Sequence, residues 1–538
     1  MAPTSQWFYK ALDYNYLMYL SFNEGCSASR DNELTISRYC IARTTDARVN
    51  GHPSVPDSVC EWLGIPYASP PTGQLRFALP VKSPLKGPIN ADHYGFDCPQ
   101  TPSSPFAYPN ATSQYAGIYA KFVNQLNNTQ SEDCLTLNVW SRTSASRRIL
   151  KPVIAWIHGG RFSAGSSHTP FYHGGNLAAA QDVVVVTFNF RMNIFGFPGS
   201  PQTARNIGFL DQYRAVEWIH DHIAAFGGDP GRITIIGQSS GAAAVSNWAY
   251  AFKDNPIVAG TMSHSGNIFS FPLLDANLAA ANWNHVASTL GCGASSSTLA
   301  CMRSENISFQ SILNAVRTVP PVPGNSPTRS VSPFQATVDN TTVFSVPAYV
   351  SRLRSAAFAP LPHLQIHGDH ESGFYRISAL AQGRSLPERD WVRFELESFT
   401  CAAAAETYWR SRAGAPTFRA RYMADWENLR LYDPPSSGAY HGVEVNMVTG
   451  NSEFVSGIAP SRRESELTGV MQAAWAAFAA DPAGGLRGLG WPRYQASGEA
   501  LVRLGVHTTQ VVDVVSSRMY DHACPALNLS FWDVLIPS

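Results

Sequence analysis

Near the middle of the chain, Gly237-Gln238-Ser239-Ser240-Gly241 sets a serine between two glycines. A serine held on a sharp turn needs that pattern, because the strained backbone and the helix behind it leave no room for flanking side chains. Its chemistry would be attack on an acyl carbon, with the following helix placing its positive end near the developing oxyanion. Upstream, His158-Gly159-Gly160-Arg161-Phe162 ends an apolar run in glycines, where backbone N–H groups are expected to stay exposed. Acyl transfer needs such donors about 3 Å from the tetrahedral oxygen, and losing one costs roughly 3 to 4 kcal/mol. A serine hydroxyl is a weak nucleophile until a histidine takes its proton and a carboxylate holds that histidine in the right tautomer. Fifteen histidines compete for that role.

The serine motif has the setting it requires. Arg232 to Ile236 reads as a strand before it, and Ala242 to Tyr250 as a helix after it. Further strands are expected at Val153 to Ile157, Val183 to Phe190, Leu364 to Ile366 and Gln510 to Val515. Between Gly208 and Phe226 the apolar residues Val216, Ile219, Ile223 and Phe226 recur at three- and four-residue steps, marking one buried helix face. Gly227-Gly228-Asp229-Pro230 ends it, and Glu464 to Ala480 reads as another helix. Alternation of β-branched runs with helical periodicity predicts an α/β fold on a large, mostly parallel central sheet flanked by helices. Without internal repeats or a clear linker, the expected organisation is an N-terminal extension, 1–40, and a single domain, 41–538.

Composition narrows the partners. The 538 residues carry 39 Lys+Arg against 39 Asp+Glu, and 44% are hydrophobic. Zero formal charge and no long basic run remove the electrostatic attraction that nucleic-acid and anionic-membrane binding require. No apolar run approaches the roughly 18 to 20 residues that cross a bilayer. Nine cysteines leave at least one without an internal partner. Cys98 and Cys134 bracket one polar stretch and Cys292 and Cys301 another, each resembling a loop tied at its base, while Cys60 reads as a buried free thiol. Cys26, Cys40, Cys401 and Cys524 are left unpaired at this level. Sequons at Asn110, Asn127, Asn306, Asn340 and Asn528 join these cysteines in favouring an oxidising, secretory compartment. Met1 to Lys10 has no early positive charge before the interrupted apolar stretch Ala11 to Phe22, so the start makes a poor signal peptide and reads instead as an aromatic-rich extension.

Several further motifs carry a resemblance. They are Leu63-Gly64-Ile65-Pro66-Tyr67-Ala68 with Pro70-Pro71-Thr72-Gly73 and Leu75-Arg76-Phe77; Ser131-Glu132-Asp133-Cys134-Leu135; Phe195-Gly196-Phe197; Ala224-Ala225-Phe226-Gly227-Gly228-Asp229-Pro230; and Gly490-Trp491-Pro492. Together with the serine and glycine motifs, they make the chain similar to the type-B carboxylesterases, the α/β-hydrolase family that includes cholinesterases and fungal lipases. The resemblance runs from about Val49 to the C-terminus.

It implies a serine carboxylesterase acting through an acyl-enzyme on neutral carboxylic esters, with Ser239 as nucleophile and the amides of Gly160, Arg161 and Ser240 as oxyanion donors. Arg161 stands where the family has glycine, so its Cβ restricts φ and its guanidinium narrows or charges the pocket mouth. Gly438-Ala439-Tyr440-His441-Gly442-Val443-Glu444 resembles the family's histidine loop and makes His441 the base. Gly368-Asp369-His370-Glu371-Ser372-Gly373-Phe374-Tyr375 resembles its acid loop without the glycine that follows the acid. Aligning glycines would put Ser372 at the acid position, and aligning the aromatic pair puts Glu371 there. Glu371 is chosen because an imidazolium requires a carboxylate, with Asp369 in reserve. The family's cystines imply Cys98–Cys134, closing a lid or gorge loop, and Cys292–Cys301. Arg76 and Glu132 match its structural ion pair. That loop lacks the tryptophan with which cholinesterases hold quaternary ammonium, and Gln238 replaces their glutamate, so choline esters are disfavoured.

His367, Asp369, His370 and Glu371 could be metal ligands, but four groups within five positions do not converge easily, and His220-Asp221-His222 on a helix face different ways. No metal or organic cofactor is implied. A catalytically inactive binding domain of the same fold, or an acyltransferase or lactone-processing enzyme, are the rival functions. The expected partner is a small-molecule ester, and the oligomeric state is not legible.

Overall fold

Val184–Phe188 and Lys151–Ile157 are β-branched runs buried on almost every residue, the pattern of parallel strands covered by helices on both faces. The computed structural model describes residues 40–527 apart from 102, 143–148, 294, 321–331, 497–499 and 507–510. The expected extension, except Cys40, lies outside the described residues, as do Cys26 and Asn528. Among the described residues the main sheet has eleven strands. From one edge they are Val512–Ser516, Ala500–Leu504, Thr417–Tyr422, His363–Gly368, Gly260–His264, Gly228–Gln238, Lys151–Ile157, Val184–Phe188, Thr136–Arg142, Val59–Pro66 and His52–Pro53. The seven from Ala500–Leu504 to Val184–Phe188 run parallel, and the outer strands pair antiparallel. Ile41–Arg43, Ala47–Asn50 and Gly87–Asn90 form a second small sheet.

The α/β-hydrolase architecture predicted from periodicity and resemblance is the one observed. The helix marked by Val216 and Ile219 spans Ile207–His222, tightens into a 3₁₀ turn at Ile223–Phe226, and ends on Gly227 at φ +88°, a left-handed residue. The strand before the serine is longer than expected, because Gly228-Asp229-Pro230 already belongs to it. No described helix is long and apolar enough to cross a membrane.

Among the described residues four cystines cross-link the fold. Cys98–Cys134 and Cys292–Cys301 are bonded as expected. Cys60 corrects the reading of a free thiol, since it is bonded to Cys40. The carbonyl of Cys40 accepts from Trp62 Nε1 at 3.1 Å and from Gly51 N at 2.8 Å, holding Cys40 against the strand that carries Cys60. Cys40 therefore belongs with the body. Cys401–Cys524 spans 123 residues. Arg76 meets Glu132 at 2.6 Å and donates to the carbonyls of Met302 and Ile307, so one guanidinium joins the Cys98–Cys134 loop to the Cys292–Cys301 segment.

Cross-linking so long a loop constrains the unfolded chain. Replacing Cys401 and Cys524 by serine is expected to lower unfolding free energy by roughly 2 to 5 kcal/mol, read from urea denaturation.

Candidate active site

Ser239 sits between the strand Gly228–Gln238 and the helix Ser240–Ala251, at φ +59° and ψ −124°. A Cβ on Gly237 would lie 2.2 Å from the Gly241 carbonyl oxygen, and one on Gly241 would lie 2.2 Å from that of Ile157. Both glycines are therefore steric necessities. The strand that Gly241 touches ends at Ile157 and opens directly into the glycine loop. There Gly160 (φ +112°), Arg161 (φ +57°) and Phe162 (φ +57°) are successive left-handed residues, two of them with side chains that make this conformation costly. Packing offsets that cost: the Phe162 ring meets Phe197 and Phe209, and its N–H donates to Ser240 Oγ at 3.2 Å. The expected oxyanion donors Gly160, Arg161 and Ser240 are thus carried by two loops locked to each other.

His441 and Glu371 come from two other loops. Glu371 follows the strand His363–Gly368 and immediately precedes the helix Ser372–Ala381, without capping it. Its Oε2 lies 2.5 Å from His441 Nδ1, while Oε1 accepts from Gly368 N and Ser265 Oγ, each at 2.6 Å. Burial pushes the Glu371 carboxyl up from its ordinary range, and His441 with Ser265 pulls it back toward the charged form. Asp369, the reserve acid, is 36% exposed and pairs with Arg421 at 2.6 Å. Ser372 is not at the acid position; its N–H donates to Glu395 at 2.9 Å. The other side chains considered as metal ligands diverge, His367 toward Arg421 and Thr400 and His370 toward Glu395.

The displaced glycine of the acid loop has a steric reason. A Cβ on Gly373 would lie 2.1 Å from the Ser437 carbonyl oxygen, and one on Gly368 would lie 2.4 Å from that of Ala439. The acid loop and histidine loop touch backbone to backbone at those two points.

Tyr375 was used in the sequence only to align the acid loop. Its hydroxyl lies 3.2 Å from His441 Nε2, and the Arg161 guanidinium lies 5.4 Å from the centre of its ring. The legible signal was its spacing from Glu371, four residues along a helix and so on the same face. Ser265 was also missed, as one serine in a Ser-Gly pair following a strand.

Beside Ser240 lies a largely apolar cavity lined by Arg161, Phe162, Phe209, Asn267, Phe271 and Tyr349 among others. The Cys98–Cys134 loop forms a wall near His441. Its helix, Tyr115–Phe122, buries Tyr115, Ile118 and Tyr119, and Phe122 packs against Phe374 and lies 6.5 Å from the His441 ring.

The profile of the carboxylesterase family matches residues 40–389. The chain belongs to the carboxylesterase family. It is 32% identical over 456 residues to chlorogenic acid esterase of Aspergillus niger, covering 83% of each chain. It is 31% identical over 504 residues to secreted lipase 5 of Gibberella zeae, covering 87% of this chain and 90% of that one. A solved PNB esterase superposes with a TM-score of 0.74 at 25% identity, over 91% of this chain and all of the other. This carboxylesterase is a serine enzyme that hydrolyses carboxylic esters, and small-molecule esters are its substrates.

Two expectations arise from this packing. Gly237→Ala forces the elbow apart, and kcat/KM on a p-nitrophenyl ester is expected to fall by roughly a hundredfold or more. The second concerns histidines that burial keeps neutral. Burial holds His158 down to about 4, and burial with neighbouring arginines holds His363 and His367 well below 6.5. The unfolded chain takes up these protons near pH 6.5 and the folded chain does not, so stability falls as pH drops below 6.5. The slope reaches up to about 1.4 kcal/mol per pH unit for each imidazole, measurable as declining Tm between pH 7 and pH 4.5.

Proposed function

We propose that this carboxylesterase works through Ser239, His441 and Glu371. Ser239 Oγ attacks the ester carbonyl as His441 takes its proton, and His441 then returns that proton to the departing alcohol. Glu371 holds His441 Nδ1–H and stabilises the imidazolium. The amides of Gly160, Arg161 and Ser240 receive the oxyanion, and water, activated by the same histidine, releases the acid from the acyl-enzyme. His441 Nε2 exchanges its Tyr375 contact for the Ser239 proton as substrate enters.

The observation that carries this reading is the 2.5 Å contact of Glu371 with His441 Nδ1 in a loop pair next to the Ser239 turn. Three donations to the Glu371 carboxylate favour its charged form, which an orienting acid requires. Relatives named for a chlorogenic ester and for lipids support neutral carboxylic esters as the substrate class. Choline esters remain disfavoured by Gln238 and by a Cys98–Cys134 loop without tryptophan.

We further propose that residues 41–538 work as one domain in a secretory compartment. Four cystines support it, as do exposed sequon residues Asn110, Asn127, Asn306 and Asn340 as glycan acceptors. The name of the Gibberella relative agrees with export.

On p-nitrophenyl esters, Ser239→Ala is expected to lose about 10⁶-fold in kcat and Glu371→Gln about 10⁴-fold. Asp369→Asn is expected to stay within threefold of the parent. A fully active Ser239→Ala ends the serine mechanism, and a fully active Glu371→Gln beside an impaired Asp369→Asn transfers the role to Asp369.

A further inference from the structure

His441 is held at both of its ring nitrogens. Glu371 Oε2 lies 2.5 Å from Nδ1, and the Tyr375 hydroxyl lies 3.2 Å from Nε2. A charged carboxylate only accepts, so in the neutral ring Nδ1 carries the proton and Nε2 presents its lone pair. The bond to Nε2 is therefore one that Tyr375 donates. Burial pushes the Tyr375 hydroxyl up from its ordinary range and the Arg161 guanidinium pulls it back, so the hydroxyl keeps its proton at neutral pH.

Packing fixes where that hydroxyl sits. Tyr375 and His441 are both buried, with ring centres 4.9 Å apart. The Tyr375 ring also meets Phe394 at 4.7 Å, Phe374 at 5.8 Å and Phe399 at 6.2 Å. Its helix, Ser372–Ala381, begins directly after Glu371, so one short segment supplies the groups at both nitrogens of the imidazole. The lone pair that Tyr375 occupies is also the one that must take the Ser239 proton. A ring nitrogen has only one, so Tyr375 must give way before that proton arrives.

We propose that Tyr375 is a positioning residue of the free enzyme: its hydroxyl holds His441 Nε2 as an acceptor and yields that nitrogen to Ser239 once an ester is bound. This deepens the reading of Ser239, His441 and Glu371 and rests on it. Donation to the lone pair stabilises the neutral ring against the imidazolium, so the free enzyme keeps its base unprotonated to lower pH than it would without the hydroxyl. The substrate complex, in which the contact has been given up, gains no such protection.

The other charged and titratable groups around His441 are unchanged when the hydroxyl is removed. Glu371 is backed by Ser265 and Glu444, with His264 beyond Glu444 at 3.3 Å. Asp369 and His370 of the acid loop face Arg421 and Glu395. The turn Leu396–Thr400 presents the Phe399 ring and the helix Tyr115–Phe122 presents Phe122, while Arg161 lies beside the Tyr375 ring.

The test compares the pH dependence of kcat/KM and of kcat for the wild type and Tyr375→Phe on p-nitrophenyl butyrate, an ester that does not itself titrate. The first profile reports the free enzyme and the second the substrate complex. In Tyr375→Phe the acid limb of kcat/KM is expected to move to higher pH by about 0.4 to 1 unit, and that of kcat by less than half as much. Phenylalanine keeps the ring packing, and a packing role alone gives no reason for one limb to move without the other. Replacing Tyr375 by 3-fluorotyrosine, a stronger donor on the same ring, is expected to move the kcat/KM limb the opposite way, to lower pH. The proposal is overturned by a kcat/KM limb of Tyr375→Phe that stays in place or moves to lower pH, and equally by a kcat limb that moves half as far or more. Where Tyr375→Phe does not fold, the fluorinated enzyme decides, and a kcat/KM limb unmoved or raised in it overturns the proposal. A fully active Ser239→Ala would instead overturn the catalytic reading beneath it.

Discussion

Backbone-to-backbone contact is the constraint on which the site depends. The Ser239 turn touches the end of Lys151–Ile157 through Gly241, and the acid and histidine loops touch through Gly368 and Gly373. At each contact a methyl group would overlap a carbonyl oxygen by more than real structures tolerate. The central strands end side by side, so their following loops converge at one edge of the sheet, the usual place for sites in parallel folds. Glycine lets those loops approach closely, and it is in the acid and histidine loops that Glu371 meets His441.

A buried polar network holds the acid side of this convergence. Ser265 Oγ lies 2.6 Å from Glu371 and 3.4 Å from Glu444, whose Oε1 is 3.3 Å from His264 Nδ1. Trp475 Nε1 in turn donates to His264 Nε2 at 2.9 Å. A carboxylate withdrawn from water is costly unless hydrogen bonds replace the lost solvation, and Glu371 receives them from a backbone amide, a hydroxyl and an imidazole. The same donors restrict its rotation, which fixes the imidazole it holds. Orientation and solvation are met by one set of contacts.

The departures from the family pattern become intelligible in three dimensions. Arg161 adopts a left-handed backbone that glycine would adopt freely, and its guanidinium lies 5.4 Å from the centre of the Tyr375 ring. Its side chain thus extends over the Tyr375 ring. The glycine moved one place along the acid loop sits where the histidine loop crosses. Cys60 looked like a core thiol because its strand is apolar, and both descriptions fit a buried sulfur; only the tertiary placement of Cys40 sets a partner against it.

By itself the sequence determined the elements and the candidate nucleophile. Alternating β-branched and helical periodicity predicted a parallel sheet, and a serine between glycines, with a strand before and a helix after, defined Ser239, because all of these are short-range consequences of sterics and burial. Resemblance added His441 and Glu371 through loop motifs, since no local rule ranks fifteen histidines. Tertiary structure alone decided that Asp369 turns to Arg421 while Glu371 turns to His441, and that Tyr375 and Ser265 join them. Each of those outcomes depends on which distant segments meet, and neighbours separated by tens to hundreds of residues leave no trace in local periodicity.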